Sequence, residues 1–335
     1  MNTLPPPVVF ADYFCGLGGM SMAAELAGLD AARRKGGGVS LVEIGVAINH
    51  HGPALELHEA NHPGTVHWRE DLLSFDHGIF GPARGEPGLI DVLLAAPACQ
   101  GHSQAGRPSR ASGGAGVREY HDKLRATAWS VASAARDMAP AAIIVENVPQ
   151  FLDWPDFGRW FSLIESYGYR GKVHKLLASD FGVPQLRLRV FVSFVSSGGD
   201  VIVEPTTPGA RIPASTCIDW DLEEPKWAVR SGMWKPITAT RGKKALAMRL
   251  DAHRRYPKGV IVSDFGHDAV HCAFTQPWRT ITTKSPSQTK IIRSDGMMRR
   301  PLPSELARAM GFPPGFKLPT STLGEADRGL GGAIC

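Results

Sequence analysis

The stretch VVFADYFCGLGGMSMAAELAG, residues 8–28, predicts a strand, a glycine turn and a helix in direct succession. Its opening residues are mostly apolar, and apolar residues after Gly19 recur at helical spacing. Such a turn brings backbone N–H groups close to a ligand at the N-terminus of the helix. The dinucleotide-binding fingerprint is incomplete, because Ser21 stands where its third glycine belongs. With Phe14 before the turn, the stretch favours an adenosyl ligand that has no pyrophosphate.

Apolar runs and helix-like stretches alternate through the first half of the chain, which is typical of a parallel α/β sheet. The apolar runs lie near residues 8–14, 41–48, 90–95 and 142–146, and the helix-like stretches at 19–27, 53–61 and 119–138. Two further runs, at 172–178 and 188–195, are joined by a connection too short for a helical crossover, so we expect an antiparallel pair. The predicted fold class is therefore α/β with a mixed, mostly parallel sheet.

A second, smaller domain is expected after the last of these runs. From about residue 196 to 275 the periodicity weakens, Pro and Trp appear, and positive charge accumulates. A helical pattern returns in PLPSELARAMGF, residues 301–312, which suggests that the chain comes back to the first domain. The predicted domains are 1–195, 196–275 and 276–335.

The charge distribution points to a polyanionic partner. The chain of 335 residues has a net charge of +5 and a hydrophobic content of 43%, as expected for a globular protein with a sizeable core. Between Lys226 and Lys258 there are ten Lys or Arg and one acid, Asp251. Trp227, Trp234 and Tyr256 interleave with these charges, a pattern that suits phosphate contacts combined with base stacking. A solvated basic face is the alternative interpretation.

Several classes of protein are disfavoured. The five cysteines form no C-x-x-C pair, so neither a disulfide framework nor a zinc cluster is predicted. His50 and His51 are adjacent and would point apart on a strand end, so we expect no metal site there either. The N-terminus lacks the basic start of a signal peptide, and no run reaches 18 apolar residues. We therefore expect a cytoplasmic protein with no membrane segment.

Chemically competent side chains follow the predicted strands. Cys99 comes just after the apolar run of LLAAPACQGHS, residues 93–103, at a sheet edge where ligands bind, so it is a candidate nucleophile as well as possible core packing. Glu146 ends the buried strand of AAIIVENV, where an unpaired carboxylate would be costly. Gln185, Arg187 and Arg189 alternate in QLRLR and are predicted on one face of a strand, with Glu146 as the nearest candidate partner of the arginines.

Six segments, in this order, resemble the motif series of the DNA cytosine carbon-5 methyltransferases: DYFCGLGG, PACQGHS, VENV, QLRLR, RTIT and LPSELARAMGFP. The resemblance covers nearly the whole chain, and the basic segment falls where this family has its variable target-recognition domain. It implies a Rossmann-like S-adenosylmethionine-dependent methyltransferase domain with a smaller target-recognition domain. It also implies a monomer that methylates a flipped-out cytosine in double-stranded DNA and takes part in restriction-modification.

The resemblance also implies roles for individual residues. Cys99 would add to cytosine carbon 6, Glu146 would bind ring nitrogen 3, and Arg189 would hold the oxygen at carbon 2, with Arg187 and Gln185 completing the catalytic set. S-adenosylmethionine would contact Phe14, Gly16, Leu17, Gly18, Gly19, Asn49, Asp71 and Pro97. The DNA would contact Ser103, Arg107, Arg241, Lys243, Lys244, Arg279 and Thr282.

Four positions depart from the family pattern and bear on cofactor affinity. Ala98 replaces the usual Pro, and His102 replaces Phe. Asn49 replaces the ribose-binding carboxylate, and Gly332 replaces an Asn. The sequence also ends at Cys335 without the usual last helix. Two alternatives stay open: an RNA cytosine methyltransferase, and a non-catalytic nucleic-acid-binding relative. A zinc deaminase is poorly supported, because the chain has no H-x-E and PACQ lacks the second cysteine.

Overall fold

A computed structural model describes residues 5–82, 88–98, 115–198, 209–221, 233–263, 270–282 and 288–318, with only the backbone described for 115–125. Contacts divide the described chain into two units. The first contains the residues up to 176 and those from 188 to 198, and the second contains 177–187 and 209–318. The predicted domains 1–195, 196–275 and 276–335 stay a prediction.

A seven-stranded sheet forms the centre of the first unit. Its strands are β1 (Val8–Tyr13), β2 (Val42–Ile48), β3 (Val66–Trp68), β4 (Val92–Ala95), β5 (Ala142–Asn147), β6 (Tyr169–Leu177) and β8 (Leu188–Ser196). Its helices are α1 (Gly19–Arg34), α2 (Gly52–Asn61), α3 (Ala115–Asp137) and α4 (Phe157–Ser166). The strand order is β3-β2-β1-β4-β5-β8-β6, and the first five strands pair in parallel, whereas β8 runs antiparallel to β5.

The core of this unit lies between the sheet and the helices that cover it. Burial along β1 increases towards its carboxyl end, from 41% exposure at Val8 to none at Tyr13. The Trp160 ring of α4 packs edge-on against Phe151 and Phe194, and its indole N–H donates to the Ala128 carbonyl of α3 at 2.8 Å. These contacts of Trp160 hold α4 against α3 and against the sheet.

The second unit is built on a five-stranded sheet of order β11-β10-β13-β14-β9 and a two-stranded parallel sheet of β7 and β12. Its strands are β7 (Gln185–Leu186), β9 (Lys235–Pro236), β10 (Gly259–Ser263), β11 (Val270–Cys272), β12 (Trp278–Arg279), β13 (Thr289–Arg293) and β14 (Met297–Arg299). Its helices are α5 (Lys243–Arg255) and α6 (Pro303–Ala309).

A buried ion pair joins α6 to this sheet. Both Glu305 oxygens accept hydrogen bonds from the Arg299 guanidinium, at 2.6 and 2.7 Å, and both side chains are fully buried. The same carboxylate also accepts the N–H groups of Asp219 and Leu302, each at 2.7 Å. A buried charge pair is tolerated when its remaining lone pairs are satisfied in this way.

The α/β fold class, the mixed sheet and its elements are confirmed. The four predicted strands and three predicted helices of the first half all form, and β6 and β8 are neighbours in the sheet. The expected helix in residues 301–312 is α6, which belongs to the second unit. Of the helices that the structure describes, none combines the length and apolar character needed to cross a bilayer.

Candidate active site

The predicted cofactor residues of the first unit lie at one edge of the sheet. Because β1 to β5 run parallel, their carboxyl ends share this edge. The residues that follow these strands are Phe14 to Gly19 after β1, Asn49 after β2, Asp71 after β3 and Pro97 after β4, and Glu146 lies near the end of β5. In open α/β sheets, ligands bind at this edge.

The turn after β1 has a strained backbone. Phe14, Gly16 and Gly18 all have positive φ, at 59°, 53° and 86°. The turn is held by hydrogen bonds from the Phe14 N–H to the Ile48 carbonyl at 2.9 Å and from the Gly18 N–H to the Cys15 carbonyl at 2.8 Å. At Gly16 an added Cβ would meet one atom within 4 Å, the Phe14 oxygen at 3.8 Å. The space over Gly16 and the N-terminus of α1 therefore fit a ligand that approaches the backbone.

A buried polar cluster, missed by the sequence reasoning, supports this turn. The Ser21 hydroxyl donates to Asp12 at 2.6 Å and contacts His58 Nε2 at 3.1 Å, and His58 Nδ1 lies 2.8 Å from His67 Nε2. A Cβ at Gly18 would lie 2.6 Å from His62 Nε2, so only glycine fits there. The available sequence signal was the four-residue spacing of His58, on α2, and His62, directly after α2.

Asn49 and Asp71 differ in their surroundings. Asn49 is 7% exposed, and its side-chain oxygen accepts the His51 N–H at 3.0 Å. Asp71 is exposed, and one of its oxygens accepts the Leu73 N–H at 3.0 Å. Of the two, only Asp71 can offer a ligand a negative charge.

The chain that leads from β4 towards Cys99 is held by two side chains. Asn147 Nδ2 donates to the Pro97 carbonyl at 3.1 Å, and the Ala98 N–H donates to Thr127 Oγ1 of α3 at 3.0 Å. Cys99, Ser103 and Arg107 themselves lie outside the described residues.

Glu146 and Arg189 form an ion pair at the same edge. Arg189 Nε lies 2.9 Å from Glu146 Oε1, with side-chain exposures of 16% and 8%. Because β8 is antiparallel to β5, with Asn147 opposite Val190, the start of β8 lies beside the end of β5. The partnership expected from the sequence is therefore present, and it places a carboxylate and a guanidinium side by side.

The stretch QLRLR does not form the single strand that we expected. Gln185 lies in β7 of the second unit and Arg189 in β8 of the first, with Arg187 between these strands. The reason is that the two buried side chains bind main chain far along the sequence. Gln185 Oε1 accepts the Ile281 N–H at 2.9 Å, and Arg187 donates to the Ile281 carbonyl at 2.9 Å.

The described residues predicted to bind DNA lie on the surface of the second unit. Arg241, Lys243, Lys244, Arg279 and Thr282 are all exposed. On α5 the exposed cations continue through Arg254 and Arg255, whereas Arg249 is buried and donates to Thr240 Oγ1 at 3.0 Å. We call the exposed residues Lys243, Lys244, Arg254 and Arg255 the basic face of α5.

Comparison with known proteins decides the family. The model of the C-5 cytosine-specific DNA methylases matches residues 8–335. The chain belongs to this family. Relatives include the type II methyltransferases M.AgeI of Thalassovita gelatinovora, 28% identical over 191 residues, and M.DsaV of Dactylococcopsis salina, 26% identical over 253 residues. These alignments span 56% and 73% of this chain, and 39% and 65% of the relatives' own lengths.

Solved structures agree on the fold of this methylase family member. A DNA modification methyltransferase encoded within an E. coli prophage superposes with a TM-score of 0.67, at 19% identity, over 98% of this chain and 94% of that chain. The DNMT2 of Spodoptera frugiperda superposes with a TM-score of 0.64, at 16% identity, over 98% of this chain and 96% of that chain. The Rossmann-like methyltransferase architecture is therefore confirmed.

Two described cysteines of this methylase family member, Cys15 and Cys217, are unsuited to nucleophilic attack. Burial raises the pKa of the Cys15 thiol, and the nearby Asp12 adds to this effect. Burial also raises the pKa of Cys217. A buried neutral thiol is a poor nucleophile, because the thiolate is the reactive form. Cys272 is half-buried and lies in β11 of the second unit, whereas the parallel strands that carry the candidate site belong to the first unit.

Proposed function

We propose that this protein transfers a methyl group from S-adenosylmethionine to carbon 5 of cytosine at a specific sequence in double-stranded DNA. The observation that carries the proposal is the pair of buried Glu146 and half-buried Arg189 at the carboxyl edge of the sheet, in a member of the C-5 cytosine-specific DNA methylase family. A carboxyl group beside a guanidinium suits the hydrogen-bonding edge of cytosine, which presents nitrogen 3 and the oxygen at carbon 2 together.

Carbon 5 of cytosine is a weak nucleophile, so the base has to be activated by covalent addition. The Cys99 thiolate forms a bond to carbon 6, and the electron pair of the 5,6 double bond makes carbon 5 nucleophilic. Glu146 holds a proton at nitrogen 3 and Arg189 binds the oxygen at carbon 2, so both stabilise charge in the adduct. After carbon 5 has been methylated, its proton leaves, the double bond re-forms and the thiolate is expelled.

S-adenosylmethionine supplies the electrophilic methyl group when bound. The residues at the sheet edge fit an adenosyl ligand. Phe14, Gly16, Leu17, Gly18 and Gly19 offer a backbone cradle, Asn49 and Asp71 follow the next two strands, and Pro97 closes the edge towards Cys99. Gln185 and Arg187 act as positioning residues. They bind the main chain at Ile281, directly before Thr282, one of the residues proposed to contact DNA.

A cytosine inside a duplex cannot present its ring to both a thiol and a methyl donor, so the base is flipped out of the helix. The basic face of α5, with Arg241, Arg279 and Thr282, contacts the DNA, and so do Ser103 and Arg107, which follow Cys99 in the sequence. The relatives' names, type II methyltransferases, support a role in restriction-modification. We propose that the protein acts as a monomer in the cytoplasm.

The proposal predicts the fate of DNA in a host that expresses the protein. Genomic DNA should gain 5-methylcytosine within one short sequence, read by bisulfite or enzymatic conversion sequencing. Cys99→Ser should lose turnover while duplex binding stays within about twofold, because a hydroxyl is a far weaker nucleophile than a thiolate. Cys272→Ser is the matched control and should keep full activity. Turnover by Cys99→Ser, or methylation of RNA and not duplex DNA, would overturn the proposal.

A further inference from the structure

The peptide group between Pro97 and Ala98, one residue before Cys99 in the sequence, is held at both of its ends. The Pro97 carbonyl and the Ala98 N–H belong to the same peptide plane. Asn147 Nδ2 donates to the carbonyl at 3.1 Å, and Thr127 Oγ1 accepts the N–H at 3.0 Å. Because the two partners come from β5 and from α3, the plane cannot rotate without breaking one of these bonds.

Both partners are themselves fixed. Asn147 is 1% exposed, and its oxygen accepts the Val148 N–H at 2.9 Å, so its amide has one possible orientation. Thr127 precedes Ala128, which is 1% exposed and whose carbonyl accepts the indole N–H of Trp160 at 2.8 Å. The hydroxyl is thus presented from a part of α3 that the core holds in place.

Thr127 is a polar, β-branched residue in the interior of a helix. Threonine is a weaker helix former than alanine, and the surrounding sequence is rich in alanine, with Ala126 and Ala128 on either side. Its hydroxyl accepts the N–H of Ala98, which lies beyond the end of β4 at Ala95 and is therefore not part of that strand's ladder. At this point of α3 the Thr127 hydroxyl provides an acceptor for the Ala98 N–H.

We propose that Thr127 is a positioning residue for the nucleophile. Together with Asn147 it holds the peptide between Pro97 and Ala98, and so restrains the backbone one residue before the nucleophile. This inference rests on the proposed function. Displacement of a reacting atom by about 1 Å costs on the order of 100-fold in rate, so a single side chain that fixes this plane has a measurable effect on adduct formation.

The test compares Thr127→Val, which removes the hydroxyl and keeps the branched shape, with Thr127→Ser, which keeps the hydroxyl. The readout is the single-turnover rate of covalent trapping on a duplex whose target cytosine carries fluorine at carbon 5. Fluorine cannot leave as a proton does, so the methylated adduct persists. We expect Thr127→Val to slow trapping about 10- to 100-fold and Thr127→Ser to stay within about threefold of the wild type. The dissociation constants for DNA and S-adenosylmethionine, and the thermal midpoint, should barely change.

A second variant asks whether the effect passes through the Ala98 N–H. Proline has no N–H, so in an Ala98→Pro background Thr127→Val should cost no further activity. Trapping by Thr127→Val within twofold of the wild type would overturn the proposal, as would an equal loss in both backgrounds. If the wild type itself is not trapped on any duplex, the proposed function fails, and this outcome is distinct from failure of the positioning role.

Discussion

At the scale of single residues, Asn49 places a neutral amide after β2, where the proposed function puts the ribose of S-adenosylmethionine. A carboxylate accepts charge-assisted hydrogen bonds, which contribute about 1.5–3 kcal/mol, against about 1 kcal/mol for neutral ones. Asn49 has a single acceptor oxygen, and the His51 N–H already binds it at 3.0 Å. If S-adenosylmethionine binds as proposed, its ribose lacks an anionic partner after this strand.

We expect Asn49→Glu to tighten S-adenosylmethionine binding about tenfold, the equivalent of about 1.4 kcal/mol. Asn49→Gln is the matched control, because it has the same length as glutamate and no charge. Isothermal titration calorimetry of the three proteins separates charge from size. Equal affinity of the Glu and Gln variants would show that the missing charge is not what limits binding.

Residue identities alone indicated part of the site. A carboxylate at the end of a buried strand and arginines in an apolar strand predicted the pairing of Glu146 with Arg189, which the structure contains. The Thr127 hydroxyl and the His62 ring were not predictable in this way. Their partners, Ala98 and Gly18, lie 29 and 44 positions away in the sequence, and their contacts arise only once the helices pack on the sheet.

At the scale of elements, α5 carries five of the ten Lys and Arg residues that the sequence concentrates between Lys226 and Lys258. Lys243 and Lys244 open the helix, and both are exposed on its basic face. Each lysine that contacts a phosphate releases a counterion on binding, so it contributes about one unit to the slope of log affinity against log salt.

The double variant Lys243→Gln, Lys244→Gln removes two positive charges. It should bind all duplex sequences more weakly, and the slope of log affinity against log salt should become shallower by about 2, with sequence preference unchanged. Fluorescence anisotropy over a salt series on target and non-target duplexes measures both quantities. Arg33→Gln with Arg34→Gln, two exposed cations at the end of α1, removes the same charge from the first unit and serves as the control. A relaxed target preference with an unchanged slope would mean that the lysines read bases.

The periodic elements of the first unit could be predicted because their burial pattern is local. β1, β2, β4 and β5 have the continuous apolar character of strands covered on both faces. The division of QLRLR between two units was not predictable, because alternation of apolar and polar residues also fits two short strands. Gln185 and Arg187 are held in the second unit by the main chain of Ile281, which lies 96 positions from Gln185 and 94 from Arg187 in the sequence.

At the scale of the whole molecule, several buried histidines make stability depend on pH. Burial lowers the pKa of His271 from its ordinary value of 6.5 to about 4, with a smaller effect of Arg279. Burial also lowers the pKa of His67 and His77. His271 therefore stays neutral in the folded protein until the pH approaches 4, whereas the unfolded chain takes up protons near pH 6.5, and the lowered pKa values of His67 and His77 act in the same direction. Protons therefore favour the unfolded chain, and stability is lost as the pH falls from about 7 towards 4.

The share of His271 in this loss can be isolated. The His271 residue is 4% exposed. Between pH 6.5 and pH 5, an interval of about 1.5 pH units, the unfolded chain binds a proton at this histidine and the folded protein does not. This difference corresponds to about 2 kcal/mol in the free energy of unfolding. Between pH 7.5 and pH 5, we expect the free energy of unfolding of the wild type to fall by about 2 kcal/mol more than that of His271→Gln. Urea unfolding at the two pH values, followed by circular dichroism, measures the difference. His50→Gln, at an exposed position, is the matched control. Parallel losses in the wild type and His271→Gln would mean that His271 takes up its proton in the folded state as readily as in the unfolded chain, so that its burial does not govern acid stability.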